Sequence, residues 1–140
     1  MSDIDIAKEN LRGHSICLCR HGEIIFDDGK GISPMMKFIA ADRDLRGYCA
    51  ADLIVGKAAA MLFVKAGIAE VYGETMSEAG AGYLKSHGIP FDYGTLTEKI
   101  INRKGDDICP MEKTVADISD PEEGYKALKE KTAELQNTGK

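Results

Sequence analysis

The stretch Asp52-Leu-Ile-Val-Gly-Lys-Ala-Ala-Ala-Met-Leu-Phe-Val-Lys-Ala66, closed by Gly67, constrains the fold more than any other. Apart from Asp52, Lys57 and Lys65, every side chain in it is apolar or absent. A surface helix shows an apolar stripe, whereas one that is apolar nearly all round is buried. Read as one helix, the stretch is about 22 Å long at 1.5 Å per residue, too short to span a bilayer. A central helix covered by the rest of a globular domain is therefore expected. Gly56, Ala59 and Ala60 give it a small-residue face that another element can approach closely. Lys57 lies beside that face, where a merely solvent-facing lysine is out of place.

The 140 residues suit a single domain over 1–140, with a core that needs no disulfide or metal staple. A formal net charge of −5 argues against a general nucleic-acid binder, which needs a basic face. No apolar run is long enough for a membrane span and none precedes a cleavage site, so the expectation is a cytoplasmic chain. The four cysteines then read as reduced thiols rather than a disulfide framework.

In chain order, residues 1–13 form an N-terminal edge segment with Ile4, Ile6 and Leu11 spaced for a short helix. Ser15–Cys19 and Glu23–Phe26 predict a β-hairpin turning at His21-Gly22, with glycine supplying a positive φ. That register puts Ile16, Leu18 and Ile25 on one face and Cys17, Cys19, Ile24 and Phe26 on the other. Both faces are apolar, so the sheet is expected to be covered on both sides. Ser33 as N-cap and Pro34 at the first position start a helix to Ala41. Ile68–Tyr72 reads as the next strand, and Ser77 caps a helix running to His87 before Gly88. Pro90–Tyr93 is a short strand and Glu98–Ile101 a further candidate. Cys109-Pro110 opens a helix ending near Ile118, and Asp120-Pro121-Glu122-Glu123 starts a covering helix over 121–136. Strands alternating with helices after an opening hairpin imply a three-layer α/β/α sandwich on a mixed sheet.

The candidate site residues come from this map. Gly56-Lys57 is not a phosphate loop, because Ala51 replaces its glycine, Ala58 its Ser or Thr, and the pair falls inside the expected helix. Lys57 would instead hold an anionic ligand, pair with an internal carboxylate, or snorkel to water. Cys17, Cys19 and His21 alternate along one strand, but core packing explains buried cysteines and the turn explains His21. Gly29-Lys30-Gly31 precedes a helix N-terminus, where free N–H groups favour a phosphate or carboxylate. Cys109 stands at a helix start near Arg103 and Lys104, a setting that favours thiolate, although Glu112 one turn on opposes it.

Gly29-x-Gly31-x-x-Pro34, Ala51-Asp52-x-x-Val55-Gly56-Lys57-Ala58-Ala59-Ala60, Ser77-Glu78, Ile101-Asn102-Arg103 and Cys109-Pro110-Met111-Glu112 together resemble a small uncharacterised bacterial family. That family is grouped with the cytidine-deaminase-like fold, and its biochemical function is not established. The resemblance implies a hairpin, a central helix, further strands and a second covering helix. A zinc deaminase needs a His or Cys two residues before a Glu at the central helix start, then Pro-Cys-x-x-Cys at the next. Here Cys49-Ala50-Ala51 looks like the first motif without its Glu, with Asp52 one residue late. The second reads Met76-Ser77-Glu78-Ala79-Gly80 without a thiol. One cysteine cannot hold catalytic zinc, which takes three protein ligands. Classical deamination, a bound metal and a cofactor are therefore not expected.

The leading reading is a metal-independent small-molecule site, nucleotide- or phosphate-like, where the zinc site would lie. Cys109, Lys57 and Asp52 are the candidate catalytic residues, with Cys109 as nucleophile. Gly29, Lys30, Gly31, Ser77, Asn102, Arg103 and Glu112 are the candidate ligand-binding residues. The alternative is a non-catalytic ligand-binding or protein-interaction domain. The partner expected is a small anionic ligand, with neither nucleic acid nor membrane, and the pattern is compatible with a homo-oligomer.

Overall fold

A computed structural model describes residues 2–102 and 104–138. In order, the elements are α1 (Asp3–Glu9), β1 (Ile16–Arg20), β2 (Glu23–Asp27), α2 (Ser33–Ala40), β3 (Cys49–Val55), α3 (Lys57–Ala66), β4 (Glu70–Ser77), α4 (Glu78–Ser86), β5 (Phe91–Thr97), α5 (Pro110–Val115) and α6 (Pro121–Thr138). The strands form one five-stranded mixed sheet in the order β2-β1-β3-β4-β5. β1 pairs antiparallel with β2 and β3, while β3, β4 and β5 run parallel. This is the expected α/β architecture on a mixed sheet.

The opening stretch divides differently from the single helix expected. Residues 52–55 end strand β3, Gly56 is the N-cap, and only Lys57–Ala66 is helical. A strand between two neighbours, with one parallel pairing, is apolar on both faces and carries no period to separate it from a buried helix. The β-branched pair Ile54-Val55 and the glycine after it are the local preference that wins. The helical half behaves as expected: Ala58 to Phe63 are all buried, and Gly67 ends the helix at φ 78°. Truncating the fully buried Phe63 to Ala would cost about 3–5 kcal/mol.

The hairpin has the expected register, Cys17 opposite Phe26 and Cys19 opposite Ile24. His21 and Gly22 both take positive φ, the signature of a two-residue turn matched to strand twist. Asp3 accepts their two amides at 2.9 and 3.2 Å, which pins α1 to the hairpin. The two sheet faces are covered unequally. Helices α2 to α6 pack the core around Ile16, Leu18, Ala50 and Phe63. On the other face α1 covers Cys17, Cys19 and Ala51. Ile24 and Phe26, beyond the reach of α1, are exposed.

Smaller departures follow from local chemistry. Ile32, not Ser33, is the N-cap of α2, and β5 runs on to Thr97. Residues 98–101 form no strand beyond an isolated bridge between Ile101 and Ile108. No helix among the described residues is long and apolar enough to cross a membrane.

Candidate functional site

The C-terminal end of β3 lies beside the start of β1 and the end of β2, because β1 is antiparallel to both neighbours. Here an open cleft of about 2260 Å³ is bordered by the β2–α2 loop, the start of α3, the segment 100–112 and the last turns of α6. In open α/β sheets the carboxyl ends of strands are where ligands bind. Gly29, Lys30, Gly31, Asp52, Asn102, Cys109 and Glu112 all line this cleft. Lys57 and Ser77 line a smaller cavity of about 460 Å³ instead, and Glu112 faces both. Arg103 lies outside the described residues.

Asp52 sits opposite Ile16 of β1 and Gly73 of β4, on the sheet face that carries the main core. It is 7% exposed and makes no ion pair among the described residues. Among the described residues its only donors are local backbone amides, with Ile54 N–H at 3.4 Å. Burial penalises the charged form and outweighs those amides, pushing the carboxyl from 3.8 to about 7.

Glu112 is held quite differently. Helix α3 begins without a capping side chain, which leaves its first amides unpartnered within the helix. Glu112 reaches across from α5 and supplies the missing acceptors: Oε1 takes the Lys57 amide and Oε2 the Ala58 amide, both at 2.8 Å. A carboxylate is also favoured there by the helix dipole. A Cβ on Gly56 would stand 2.5 Å from that carboxylate, so the arrangement requires glycine.

The Lys57 side chain turns away from the carboxylate. Its ammonium donates to the Ala116 carbonyl at 3.0 Å, at the C-cap of α5. Lys57 therefore ties α5 to α3 twice, once through its amide and Glu112, and once through its ammonium. The expected internal carboxylate is present, but the backbone rather than the side chain meets it. Ser77, 1% exposed, accepts the Gly80 amide at 3.0 Å and caps α4. Asn102 organises its own loop, its Oδ1 accepting the Gly105 and Asp106 amides at 2.9 and 3.3 Å. Gly29 donates to Asp27 at 2.7 Å, and Gly31 takes φ 57° in the loop leading to α2.

Cys109 is the half-buried N-cap of α5, with no side-chain capping bond. The other three thiols are buried, and burial raises each above its ordinary value, Cys49 to about 11. The cleft also holds residues that sequence patterns did not single out. Ile32, Met36, Ile54 and Met111 line apolar walls, and Arg12 and Lys129 add to Lys30 and Lys104 as cations without a carboxylate partner among the described residues. No local signal marks these residues, because they converge from separate elements.

The zinc that a deaminase-like resemblance implies does not fit these residues. The two helix starts present Lys57-Ala58-Ala59 and Glu78-Ala79-Gly80, and Cys49 is at the far end of β3 rather than at a helix start. Asp52 likewise belongs to the strand, not to the first turn of a helix. Among the described residues no three His, Cys, Asp or Glu side chains converge as a ligand set.

A family model described as TM1506, domain of unknown function (DUF1893), matches residues 6–132. The chain belongs to that family. A crystal structure of a DUF1893 family protein (TM1506) from Thermotoga maritima aligns with a TM-score of 0.78 at 24% identity, over 89% of this chain and 82% of that one. At that identity the likeness concerns the fold alone. A crystal structure of a diaminohydroxyphosphoribosylaminopyrimidine deaminase/5-amino-6-(5-phosphoribosylamino)uracil reductase from Thermotoga maritima aligns with a TM-score of 0.47 at 18% identity, over 80% of this chain and 38% of that one. No curated protein matches the chain.

Proposed function

We propose that this DUF1893 family member binds a small anionic molecule, of a nucleotide- or phosphate-bearing kind, in the cleft beyond β3. The observation that carries the reading is a rim on which Arg12, Lys30, Lys104 and Lys129 have no carboxylate partner among the described residues, while the neighbouring Asp28, Asp106 and Asp107 are engaged by His14, Asn102 and Lys113. Free cations at an open rim attract an anion, and apolar walls accept a planar or aliphatic body. In the loop that leads to the uncapped start of α2 the Gly29 amide is taken by Asp27, and the Lys30 and Gly31 amides are the ones that can meet the same anion.

Binding is preferred to thiol catalysis within this reading. Among the described residues no base is hydrogen-bonded to Cys109, and a thiol nucleophile is ordinarily activated by such a partner. Lys57, committed to Ala116, serves as a structural tie rather than an anion ligand.

The test is a thermal-stabilisation screen of the whole chain against nucleotides, sugar phosphates and inorganic phosphate. A ligand that binds only the folded state at about 100 times its Kd adds about 2.7 kcal/mol. The expected result is stabilisation by a phosphate-bearing compound that disappears on combined neutralisation of Lys30 and Lys104. Stabilisation by none of them, or one insensitive to these lysines, overturns the reading.

A further inference from the structure

We propose that Asp52 selects the ligand by accepting two adjacent N–H donors from a planar, amidine-like edge, of the kind a guanine-type base presents, while the ligand's anionic part reaches the rim lysines. The inference rests on the cleft reading above and assigns the chemistry of its floor.

A carboxylate that is 7% exposed, with no cation among the described residues and only long local amide bonds, retains most of its capacity to accept hydrogen bonds. Holding such a group in a low-dielectric setting on so few donors is costly, and no described cation compensates it. The side chain lines the cleft, so an incoming group can supply what the protein does not. Gly73, opposite it on β4, contributes no side chain that could do so.

The geometry of the acceptor fixes the class of donor. Two carboxylate oxygens match two parallel N–H groups, a fork that adds specificity as well as energy. A ring carbonyl beside a single N–H offers one donor and one repelled acceptor. The walls at Ile32, Met36, Ile54 and Met111 suit the faces of a planar ring better than a hydrated sugar. Of the other carboxylates lining the cleft, Glu112 has both oxygens on the α3 amides, Asp28, Asp106 and Asp107 are engaged by His14, Asn102 and Lys113, and Glu74 is exposed, which leaves Asp52 as the buried one that can discriminate.

The experiment uses the full chain and measures binding of GMP, IMP and ribose 5-phosphate by calorimetry, for the wild type and Asp52→Asn. GMP and IMP differ only in the 2-amino group that completes the donor pair. The expected result is GMP binding about tenfold tighter than IMP, the worth of one charge-assisted hydrogen bond. In Asp52→Asn the amide presents a donor to one of those N–H groups, so the GMP advantage is lost while ribose 5-phosphate binds as before. Equal affinities for GMP and IMP in the wild type, or a GMP advantage that survives Asp52→Asn, overturn the assignment of Asp52. If ribose 5-phosphate still binds in that case, the anion-binding cleft stands without it. If none of the three binds, both readings fall.

Discussion

At the start of α3, Glu112 completes two backbone hydrogen bonds that the helix cannot make for itself. At the end of β3, Asp52 is buried with nothing but a local amide turn to receive it. Both carboxylates line one cleft, so the difference is not one of position but of commitment. The α3 start is a closed structural joint, locked further by the Lys57–Ala116 bond. The β3 end holds a carboxyl that folding leaves with only long local amide contacts. Buried polar groups in native proteins are ordinarily well paired, so one held by a single long local bond at a cleft is the better candidate for function.

This contrast can be broken first at Asp52. Its folded pKa is raised to about 7 from 3.8, so between those values the folded state keeps a proton that the unfolded chain has lost. Stability falls as pH rises through that window, and the penalty is complete above it. Asp52→Asn removes the penalty. The expected gain is nil near pH 4 and about 2–4 kcal/mol at pH 8, read from urea unfolding across pH. A gain of the same size at both pH values would show that the carboxyl is not desolvated.

The opposite sign is expected at Glu112. Glu112→Ala leaves the Lys57 and Ala58 amides without their acceptors and should cost about 2 kcal/mol, within the range for a lost cap and its unsatisfied donors. Glu112→Gln should cost less, since one oxygen remains. Unchanged unfolding midpoints in both variants would mean that water caps α3 equally well. The smallest effect is expected from Lys57→Met, which loses a single half-exposed bond to Ala116 and should cost below about 1 kcal/mol. Loss of ligand binding in that variant would return Lys57 to the site.

Much of this architecture was legible from the residues. The His21-Gly22 turn fixed the hairpin register, and Ser77 marked the start of α4 with its own side chain. Asp120 and Pro121 likewise announced α6, where Asp120 accepts the Glu123 amide at 2.9 Å. The stretch from Asp52 to Val55 misled because a strand buried on both faces has no period, and its companion helix follows after one glycine. Glu112 was nominated as a ligand-binding residue, yet its partners lie 55 and 54 residues away. No local pattern announces such a contact. One signal was available: Gly56 starts a helix with no capping side chain, so an acceptor had to come from elsewhere. Asp52 was nominated as the start of a helix, where a carboxylate is ordinary. Only its place on a central strand makes its burial conspicuous.

The claim that Asp52 is a desolvated, uncompensated carboxyl on the cleft floor is tested most directly by its own titration. Carbon-13 carboxyl chemical shifts of the aspartates, with Asp52 assigned by its loss in Asp52→Asn, would be followed from pH 3 to pH 9 on the ligand-free chain. The expected midpoint for Asp52 is about 7. A midpoint near the ordinary 3.8 would show that water or an unseen partner already satisfies the group, and the account of the cleft floor would fail.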